Sequence, residues 1–273
     1  MSPSWRDEIG VHLSPRRLCV VRLKRGLKSA LATEHEQSVD PETAGHWSGS
    51  LAALDELLGK SDWQGAALRV VLADCWARYA VVPWEAELGS AEERLGHARQ
   101  LLASTYGDAV SGWEVRLSDA PPLSVRVACT LPAELIEAVR SVCANRGIKL
   151  KTLQPQLIVA YENWRHCLPA SGAWFVTVGD GTLAAARLGE GAWDRVHSVR
   201  IGADWARELR RLQTFGRLAS ARPDEGQVYV DAPQAWREVA GPAGQALHWL
   251  EDESESESPT TLQRLGRVRR LAA

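Results

Sequence analysis

The sequence has little excess charge of either sign. Its 32 basic residues stand against 34 acidic residues, which gives a formal net charge of -2 over 273 residues. Proteins devoted to nucleic acid normally carry a strong basic excess, so this balance argues against nucleic acid as the partner. Hydrophobic residues make up 45% of the chain and charged residues 24%, which excludes a disordered, collagen-like or coiled-coil protein. The length predicts roughly two domains.

Cysteine pairs and long apolar runs are also lacking. The five cysteines lie far apart with no C-x-x-C pair, which argues against both a zinc site and a disulfide framework. No segment approaches the ~18 apolar residues of a membrane span, and the N-terminal residues lack the apolar stretch of a signal peptide. We therefore expect a cytoplasmic protein that does not span the membrane and has no metal ligands.

Phenylalanine and tyrosine are scarce, with two and four residues, whereas tryptophan occurs twelve times. Tryptophan at scattered positions is first of all a core or interface residue. We interpret most of these side chains as core residues rather than as a ligand cage.

Two similar series of elements are predicted along the chain. Each contains three short strands separated by turn-like residues, then a helix with apolar residues at three- and four-residue spacing, then a buried strand. The first series occupies 9–13, 18–23, 30–36, 51–58 and 68–72. The second series occupies 173–178, 182–188, 193–201, 205–215 and 227–230. The displacement of about 160 residues is far longer than a solenoid repeat, so it indicates a duplicated lobe.

A small α/β insert is predicted between the two series. Its predicted helices and strands occupy 90–106, 113–117, 123–130, 132–145 and 149–153, and a further helix at 155–166 follows a proline suited to a first turn. The predicted domains are a first lobe (1–88), an inserted subdomain (89–154), a second lobe (155–250) and a tail (251–273).

The predicted tail changes in composition along its length. Residues 251–259 form an acid- and serine-rich run that cannot bury apolar surface, so we expect disorder there. Beyond it, four apolar residues at three-residue spacing alternate with arginines between 262 and 271. This basic end is interpreted either as an amphipathic segment that binds a partner or an anionic membrane surface, or as a frayed terminus.

The sequence matches several catalytic motifs in part, but each match is incomplete. Gly59-Lys60-Ser61 lacks the first glycine of a phosphate-binding P-loop, and the serine of the string GHWSG at 45–49 stands one place too late for a nucleophile elbow. No two histidines stand four residues apart on a helix in the manner of a zinc protease. We therefore predict no catalytic residue.

The string Gly179-Asp180-Gly181-Thr182 has two interpretations. Two glycines after a buried strand let the backbone approach a phosphate, and Thr182 adds a hydroxyl. Asp-Gly between two strands is equally a preferred tight hairpin turn, which needs no ligand. Both readings stay open on the sequence.

The duplicated series, the insert, the opening string IGVHLS at 9–14 and the string VTVGDGT at 176–182 resemble the actin-like PilM group. That group includes PilM of type IV pilus assembly, the cytoplasmic part of the secretion protein GspL, and the cell-division protein FtsA. The resemblance covers about residues 7 to 250. It implies an α/β, actin-like fold of duplicated ribonuclease-H-like lobes. It also implies hairpin loops for nucleotide phosphates and a groove for the tail of a membrane-spanning partner.

The chain departs from the nucleotide-binding pattern of this group. The acidic residue of the first loop is replaced by His12, which is followed by Ser14 and Arg16, and the acidic position before the second loop is Thr177. The third region, at 228–233, offers bulk and a proline where a Gly-Gly pair usually admits adenosine. A triphosphate needs Mg²⁺, Lys/Arg or exposed backbone N–H groups, so we expect no cofactor, the alternative being ATP with magnesium.

Residues 16–28 contain six basic residues and no acidic one. This stretch is interpreted either as a hairpin edge with solvated charges or as a basic surface for an acidic partner or the anionic inner leaflet. Arg16 and Arg17 are alternatively clamps for a phosphate.

The resemblance implies a non-catalytic cytoplasmic scaffold at the inner membrane, in a type IV pilus or type II secretion platform. Its expected partners are the cytoplasmic segment of a bitopic membrane protein and a secretion or pilus ATPase. Candidate contacts are Trp76, Tyr79 and Trp84, with a core role as the alternative for Trp76 and Tyr79. The competing hypotheses are an active actin-like or sugar-kinase-like ATPase and a nucleic-acid-binding adaptor.

Overall fold

The computed structural model describes residues 7–24, 30–39, 46–121, 123–190, 192–202, 204–218, 226–238 and 247–250. The strands are β1 (Glu8–Leu13), β2 (Arg17–Lys24), β3 (Ala30–Ser38), β4 (Ala67–Leu72), β5 (Arg78–Val82), β6 (Trp113–Leu117), β7 (Arg126–Pro132), β8 (Lys149–Pro155), β9 (Ala173–Gly179), β10 (Thr182–Gly189), β11 (Ala192–Arg200), β12 (Gln227–Asp231) and β13 (Leu247–Trp249). The helices are α1 (Ser48–Leu58), α2 (Ala91–Tyr106), α3 (Ala133–Asn145), α4 (Gln156–Trp164), α5 (Trp205–Leu218) and α6 (Gln234–Glu238). The tail at 251–273 and the basic residues at 25 and 28 lie outside the described residues.

Two compact units make up the described chain. The first unit contains the residues up to Ala73 together with Glu134–Asn163. The second contains Asp74–Ala133 and the described residues from 164 to 250.

The first unit is built on a five-stranded sheet with the order β3-β2-β1-β4-β8. β1, β2 and β3 form the predicted antiparallel meander, and β4 and β8 add in parallel. The buried carboxylate of Glu8 on β1 lies 2.5 Å from Lys151 Nζ on β8 and 3.4 Å from Arg69 Nε on β4. The buried Glu8 carboxylate therefore has one cationic partner on β4 and one on β8, the two parallel strands of this sheet.

Three helices accompany this sheet in the first unit. α1 buries Leu51, Leu54, Leu57 and Leu58, the residues that predicted it. On α4, Val159 packs with Cys19 and Val21 of β2. The end of α3 is joined to α1 by Arg146, which donates to Asp55 Oδ1 at 2.8 Å and to Oδ2 at 2.7 Å. This bidentate pair lowers the pKa of Asp55 and raises that of Arg146.

The second unit repeats the same sheet order, as β11-β10-β9-β12-β13. β9, β10 and β11 form the antiparallel meander, and β12 and β13 are parallel additions. α5 packs Trp205, Leu209 and Leu212 against Trp174 and Val176 of β9. Trp205 also donates from Nε1 to the Trp236 carbonyl at 2.9 Å, so its one polar atom is satisfied.

A three-stranded sheet with the order β5-β7-β6 also belongs to the second unit. α2 covers one face of this sheet, where Ala98 and Leu102 pack with Val82 and Val115. The helix begins with a capping box: Glu93 N donates to Ser90 Oγ, and Ser90 N donates to Glu93 Oε2 at 2.8 Å. These bonds to Ser90 lower the pKa of Glu93.

The predicted domain limits at 88/89 and 154/155 stay a prediction. In the structure, β5 at 78–82 pairs with β7 and so joins the three-stranded sheet. β8 at 149–155 pairs with β4, which places it in the first sheet. Both pairings join strands that are distant in sequence, and local patterns carry no information about such pairings.

Removing the Trp205 side chain should destabilise the second unit strongly, because the change leaves a large cavity and an unsatisfied carbonyl at Trp236. We expect Trp205→Ala to lower the free energy of unfolding by about 3–5 kcal/mol, measured by urea denaturation with circular dichroism. Trp84→Ala is the matched control, since Trp84 is 44% exposed, and it should change stability by less than about 0.5 kcal/mol. Equal losses at the two positions would show that Trp205 is not part of the core.

Candidate functional site

The first loop, residues 14–16 between β1 and β2, is closed by its own hydrogen bonds. Ser14 Oγ accepts from Arg17 N at 3.2 Å and donates to the Arg17 carbonyl at 3.1 Å. The Ser14 carbonyl accepts from Ser50 Oγ at 2.7 Å, and Ser14 itself is fully buried. The Arg16 carbonyl accepts from Val39 N at 2.9 Å, while its side chain is exposed. The polar groups of this loop therefore serve the turn itself.

His12 lies inside the first unit, at the position where the resemblance implies a carboxylate. The residue is 5% exposed, and its Nε2 lies 3.2 Å from Oε1 of Gln156, the first residue of α4. An imidazole that is held against an amide oxygen offers Mg²⁺ none of the hard anionic oxygen that it prefers. The first loop and His12 therefore do not fit a magnesium-nucleotide.

The second loop is a two-residue hairpin. Gly179 and Thr182 pair across it, and the two central residues, Asp180 and Gly181, both have positive φ, at 50° and 71°. Positive φ at both positions is the requirement of a type I′ turn, which Asp-Gly satisfies best. The Gly181 carbonyl accepts from Ile201 N at 2.9 Å. The hairpin reading of this string is therefore what the structure shows, and it requires no ligand.

Thr182 retains one feature that suits a ligand. Its side chain is 4% exposed, and its hydroxyl has no hydrogen-bond partner among the residues that the structure describes. A buried hydroxyl without a partner is costly, so it points to an unfilled polar contact beside the second loop.

A buried carboxylate lies against β9, where the sequence has Thr177 in place of an acid. Asp74 is 5% exposed; its Oδ2 accepts from Thr177 Oγ1 at 3.0 Å and its Oδ1 accepts from Tyr79 OH at 2.6 Å. The cross-strand neighbour of Thr177 on β12 is Asp231, which is also buried. Two carboxylates thus flank Thr177 inside the second unit.

The third region does not expose its backbone for adenosine. The Ala232 carbonyl accepts from Arg237 Nε at 3.2 Å, and the Pro233 carbonyl accepts from Trp236 N at 3.0 Å. Ala232 is fully buried in the core of the second unit. These contacts fold the segment into the start of α6.

Thiol chemistry is suppressed in this part of the second unit. Burial, followed by the carboxylates of Asp180 and Asp74, raises the pKa of Cys75 to about 12. Burial and then Asp74 also raise the pKa of Cys129. Neither cysteine carries a thiolate near neutral pH, so neither is a nucleophile.

Two of the four described basic residues of the stretch at 16–28 are paired with acids. Arg22 donates to Asp7 Oδ2 from Nε at 3.1 Å and from Nη2 at 2.9 Å, and Arg17 lies 3.5 Å from Glu36. Arg16 and Lys24 are exposed. This arrangement is that of a hairpin with solvated and paired charges rather than of a phosphate clamp.

The three candidate partner residues have different environments. Trp76 and Tyr79 are buried, at 7% and 6% exposure, and Tyr79 is committed to Asp74. Trp84 is exposed, and the other large exposed apolar residue of the described chain is Leu123. Because Val82 pairs with Arg126, these two residues lie at the same end of the β5–β7 pair. Trp84 remains a candidate for partner binding, and Leu123, which sequence reasoning missed, joins it.

The predicted site residues are divided between the two units. His12, Ser14 and Arg16 belong to the first unit, whereas Gly179, Asp180, Gly181 and Thr182 belong to the second. Within the second unit, the structure brings Asp74, Tyr79 and Thr177 together. Asp74 was missed by sequence reasoning, although its place directly after the buried strand β4 was a usable signal.

The residues that the structure describes contain neither a metal-ligand cluster nor a helix able to span a membrane. No group of three or more histidine, cysteine, aspartate or glutamate side chains is arranged to hold a metal ion. None of the described helices has the length and apolar character needed to cross a membrane.

The two units share one sheet order, with a meander, a helix and a parallel strand in each, and this is the actin-like fold. Comparison with solved structures confirms the predicted fold class. One match is a protein of Bacteroides thetaiotaomicron described as having an actin-like ATPase fold and unknown function. It has a TM-score of 0.59 and 12% identity, and covers 90% of this chain and 91% of that one.

Two further structures are similar over nearly the whole chain. The PilM-PilN type IV pilus biogenesis complex matches with a TM-score of 0.69 and 15% identity, covering 97% of this chain and 98% of that one. The cytoplasmic domain of EpsL, an inner membrane component of the type II secretion system of Vibrio cholerae, matches with a TM-score of 0.58 and 10% identity, covering 97% and 94%. No protein-family model and no curated protein matches the sequence.

The hydrogen bond from Tyr79 to Asp74 should contribute measurably to stability, because its loss leaves a buried carboxylate oxygen short of a donor. We expect Tyr79→Phe to lower the free energy of unfolding by about 1.5–3 kcal/mol, the range for a hydrogen bond to a charged group. Urea denaturation measures it.

Tyr229→Phe is the matched control for this prediction. Its hydroxyl donates to Gln227 Oε1 at 2.8 Å in an exposed position, so we expect a change of less than about 0.5 kcal/mol. An equal response to the two substitutions would contradict the role assigned to Asp74.

Proposed function

We propose that this protein is a non-catalytic scaffold in the cytoplasm at the inner membrane, in a type IV pilus or type II secretion platform. It docks the cytoplasmic segment of a membrane partner. The likeness in fold to PilM and to the cytoplasmic domain of EpsL supports this assignment. A shared fold does not define function, so the assignment of a non-catalytic role depends on the chemistry of the loops.

The observation that carries the proposal is the first loop. In an actin-like ATPase this loop must hold phosphate or magnesium, but here the Ser14 hydroxyl is bonded to Arg17 and His12 faces Gln156. The third region is likewise used internally. Positioning and charge neutralisation supply almost all of phosphoryl-transfer catalysis, so their loss supports a binding role.

The surface that best suits a partner is the end of the three-stranded sheet with Trp84 and Leu123, here called the Trp84 patch. Exposed aromatic and apolar residues of this kind anchor protein interfaces. Glu87, three residues after Trp84 in the sequence, is exposed, and the Glu85 carboxylate is half-buried 3.4 Å from His97 Nε2. We infer a partner segment with apolar anchors and basic flanks.

An active ATPase is the second candidate, because the buried Thr182 hydroxyl lacks a partner among the described residues. Calorimetric titration of ATP with Mg²⁺ separates the two functions. For a scaffold we expect no binding at millimolar nucleotide. Binding in the micromolar range that Thr182→Val abolishes would contradict the scaffold and establish a nucleotide site at the second loop.

The docking role predicts that Trp84 is a hot spot. The probe is a synthetic peptide of the cytoplasmic segment of the bitopic pilus or secretion membrane protein encoded beside this chain. We expect Trp84→Ala to weaken its binding by a factor of ~30 or more, because hot-spot truncations cost about 2 kcal/mol or more. Fluorescence anisotropy of the labelled peptide measures this.

Trp47→Ala is the control for this experiment, because Trp47 is a half-buried tryptophan of the first unit that stacks on His46 at 4.4 Å. It should leave the affinity unchanged. Absence of saturable binding to the wild-type protein would sink the docking role itself. An equally large loss of affinity for Trp47→Ala would show that the Trp84 patch is not the docking surface.

A further inference from the structure

β6 forms one edge of the three-stranded sheet. Its neighbour is β7, and no other strand pairs with it in the part of the chain that the structure describes. Ser118 N donates to the carbonyl opposite it on β7 at 2.9 Å, and hydrogen-bonded and non-bonded residues alternate along an antiparallel ladder. Glu114 and Arg116 therefore bond to β7, whereas the backbone groups of Val115 and Leu117 point away from it. An edge of this kind is a template for a further strand.

The side chains of β6 divide between the two faces of the sheet. Val115 is buried in the core that α2 covers, and Trp113 and Leu117 pack partly buried against the same core. Glu114 and Arg116 lie on the other face, where Arg116 Nε donates to Glu114 Oε1 at 2.9 Å. Their side chains are 29% and 76% exposed. The edge strand thus carries one acid and one base together on its exposed face.

This short strand is complementary to itself when a second copy runs antiparallel. With Val115 opposite Val115, Glu114 of each copy lies opposite Arg116 of the other copy. Residues 114 and 116 then form the non-hydrogen-bonded pairs, in which facing side chains are closest. The opposite charges therefore meet at the shortest cross-strand separation, where such pairs stabilise a sheet.

We propose that β6 pairs with β6 of a second copy of this chain, across a two-fold axis at Val115. Each Val115 N–H donates to the carbonyl of its counterpart, and each Leu117 N–H donates to the Trp113 carbonyl opposite. The Trp113 N–H is not needed, since it already donates to the Val110 carbonyl. Trp113 opposite Leu117 also continues the apolar face from one sheet into the next.

The edge strand of the first unit, β3, has the opposite property. Its exposed acids Glu34 and Glu36 stand at the same two-residue spacing. An equivalent pairing of two β3 strands would set acid against acid across the axis, which is unfavourable. The charge pattern therefore favours β6 over β3 as the strand that pairs with its own copy.

The contact made by one strand of five residues is small. Small interfaces belong to the weak and transient class, so we expect a reversible equilibrium between monomer and dimer in the micromolar range. This inference is independent of the proposed scaffold function, because it uses neither the loops nor the Trp84 patch.

Charge reversal on the full chain tests the proposal, with sedimentation velocity over the micromolar range as the measurement. Arg116→Glu leaves two acids on the strand, and Glu114→Arg leaves two bases. Each variant alone should dimerise ~10-fold or more weakly than the parent, because like charges then face each other twice. Mixing the two variants should restore dimerisation, because every facing pair is again an acid and a base.

Arg140→Glu is the matched control, since Arg140 is an exposed arginine of α3 that pairs with Glu137 on its own helix. It should leave the equilibrium unchanged, and circular dichroism confirms that each variant is folded. A parent chain that stays monomeric throughout overturns the proposal and leaves the β6 edge to a strand of another protein. An Arg116→Glu variant that dimerises like the parent places the contact elsewhere. A mixture that stays monomeric contradicts the register.

Discussion

The carboxylate of Asp74 is the interaction on which the second unit depends. It accepts one hydrogen bond from the hydroxyl of Tyr79, on β5 of the three-stranded sheet. It accepts another from the hydroxyl of Thr177, on β9, the central strand of the five-stranded sheet. A buried carboxylate is costly unless its oxygens accept hydrogen bonds, so the two sheets must keep their registers for both donors to stay in place. The same charge contributes to the raised pKa values of the nearby thiols Cys75 and Cys129, which keeps this interior chemically inert.

Much of the fold could be predicted because its signals are local. The two meanders follow from short apolar strands and turn residues, and α1 follows from leucines at helical spacing. The partners of β5 and β8 could not be predicted, because their pairings join strands far apart in sequence. Asp74 and Thr177 are 103 residues apart, and no string in the sequence joins them. Of the candidate site, the turn geometry at the second loop and a core role for Trp76 and Tyr79 were accessible from sequence, whereas the exposure of Leu123 depends on packing.

The polar groups of the first loop and of the third region form hydrogen bonds within the chain. In the first loop a serine hydroxyl closes the turn, and in the third region the carbonyls accept from α6. Each such bond satisfies a group that a phosphate or a ribose would otherwise need to contact. These polar groups are thereby satisfied within the chain itself, as buried polar groups of folded proteins generally are.

The two positive φ angles at Asp180 and Gly181 have a consequence for how such chains are classified. Backbone geometry alone makes Asp-Gly the favoured pair at this corner, because only residues that tolerate the left-handed region avoid strain there. A survey that sorts actin-like chains by glycine-rich strings would therefore group them by turn geometry rather than by nucleotide binding. Reliable sorting has to ask instead which carboxylates surround the hairpin in space and whether their oxygens are already taken.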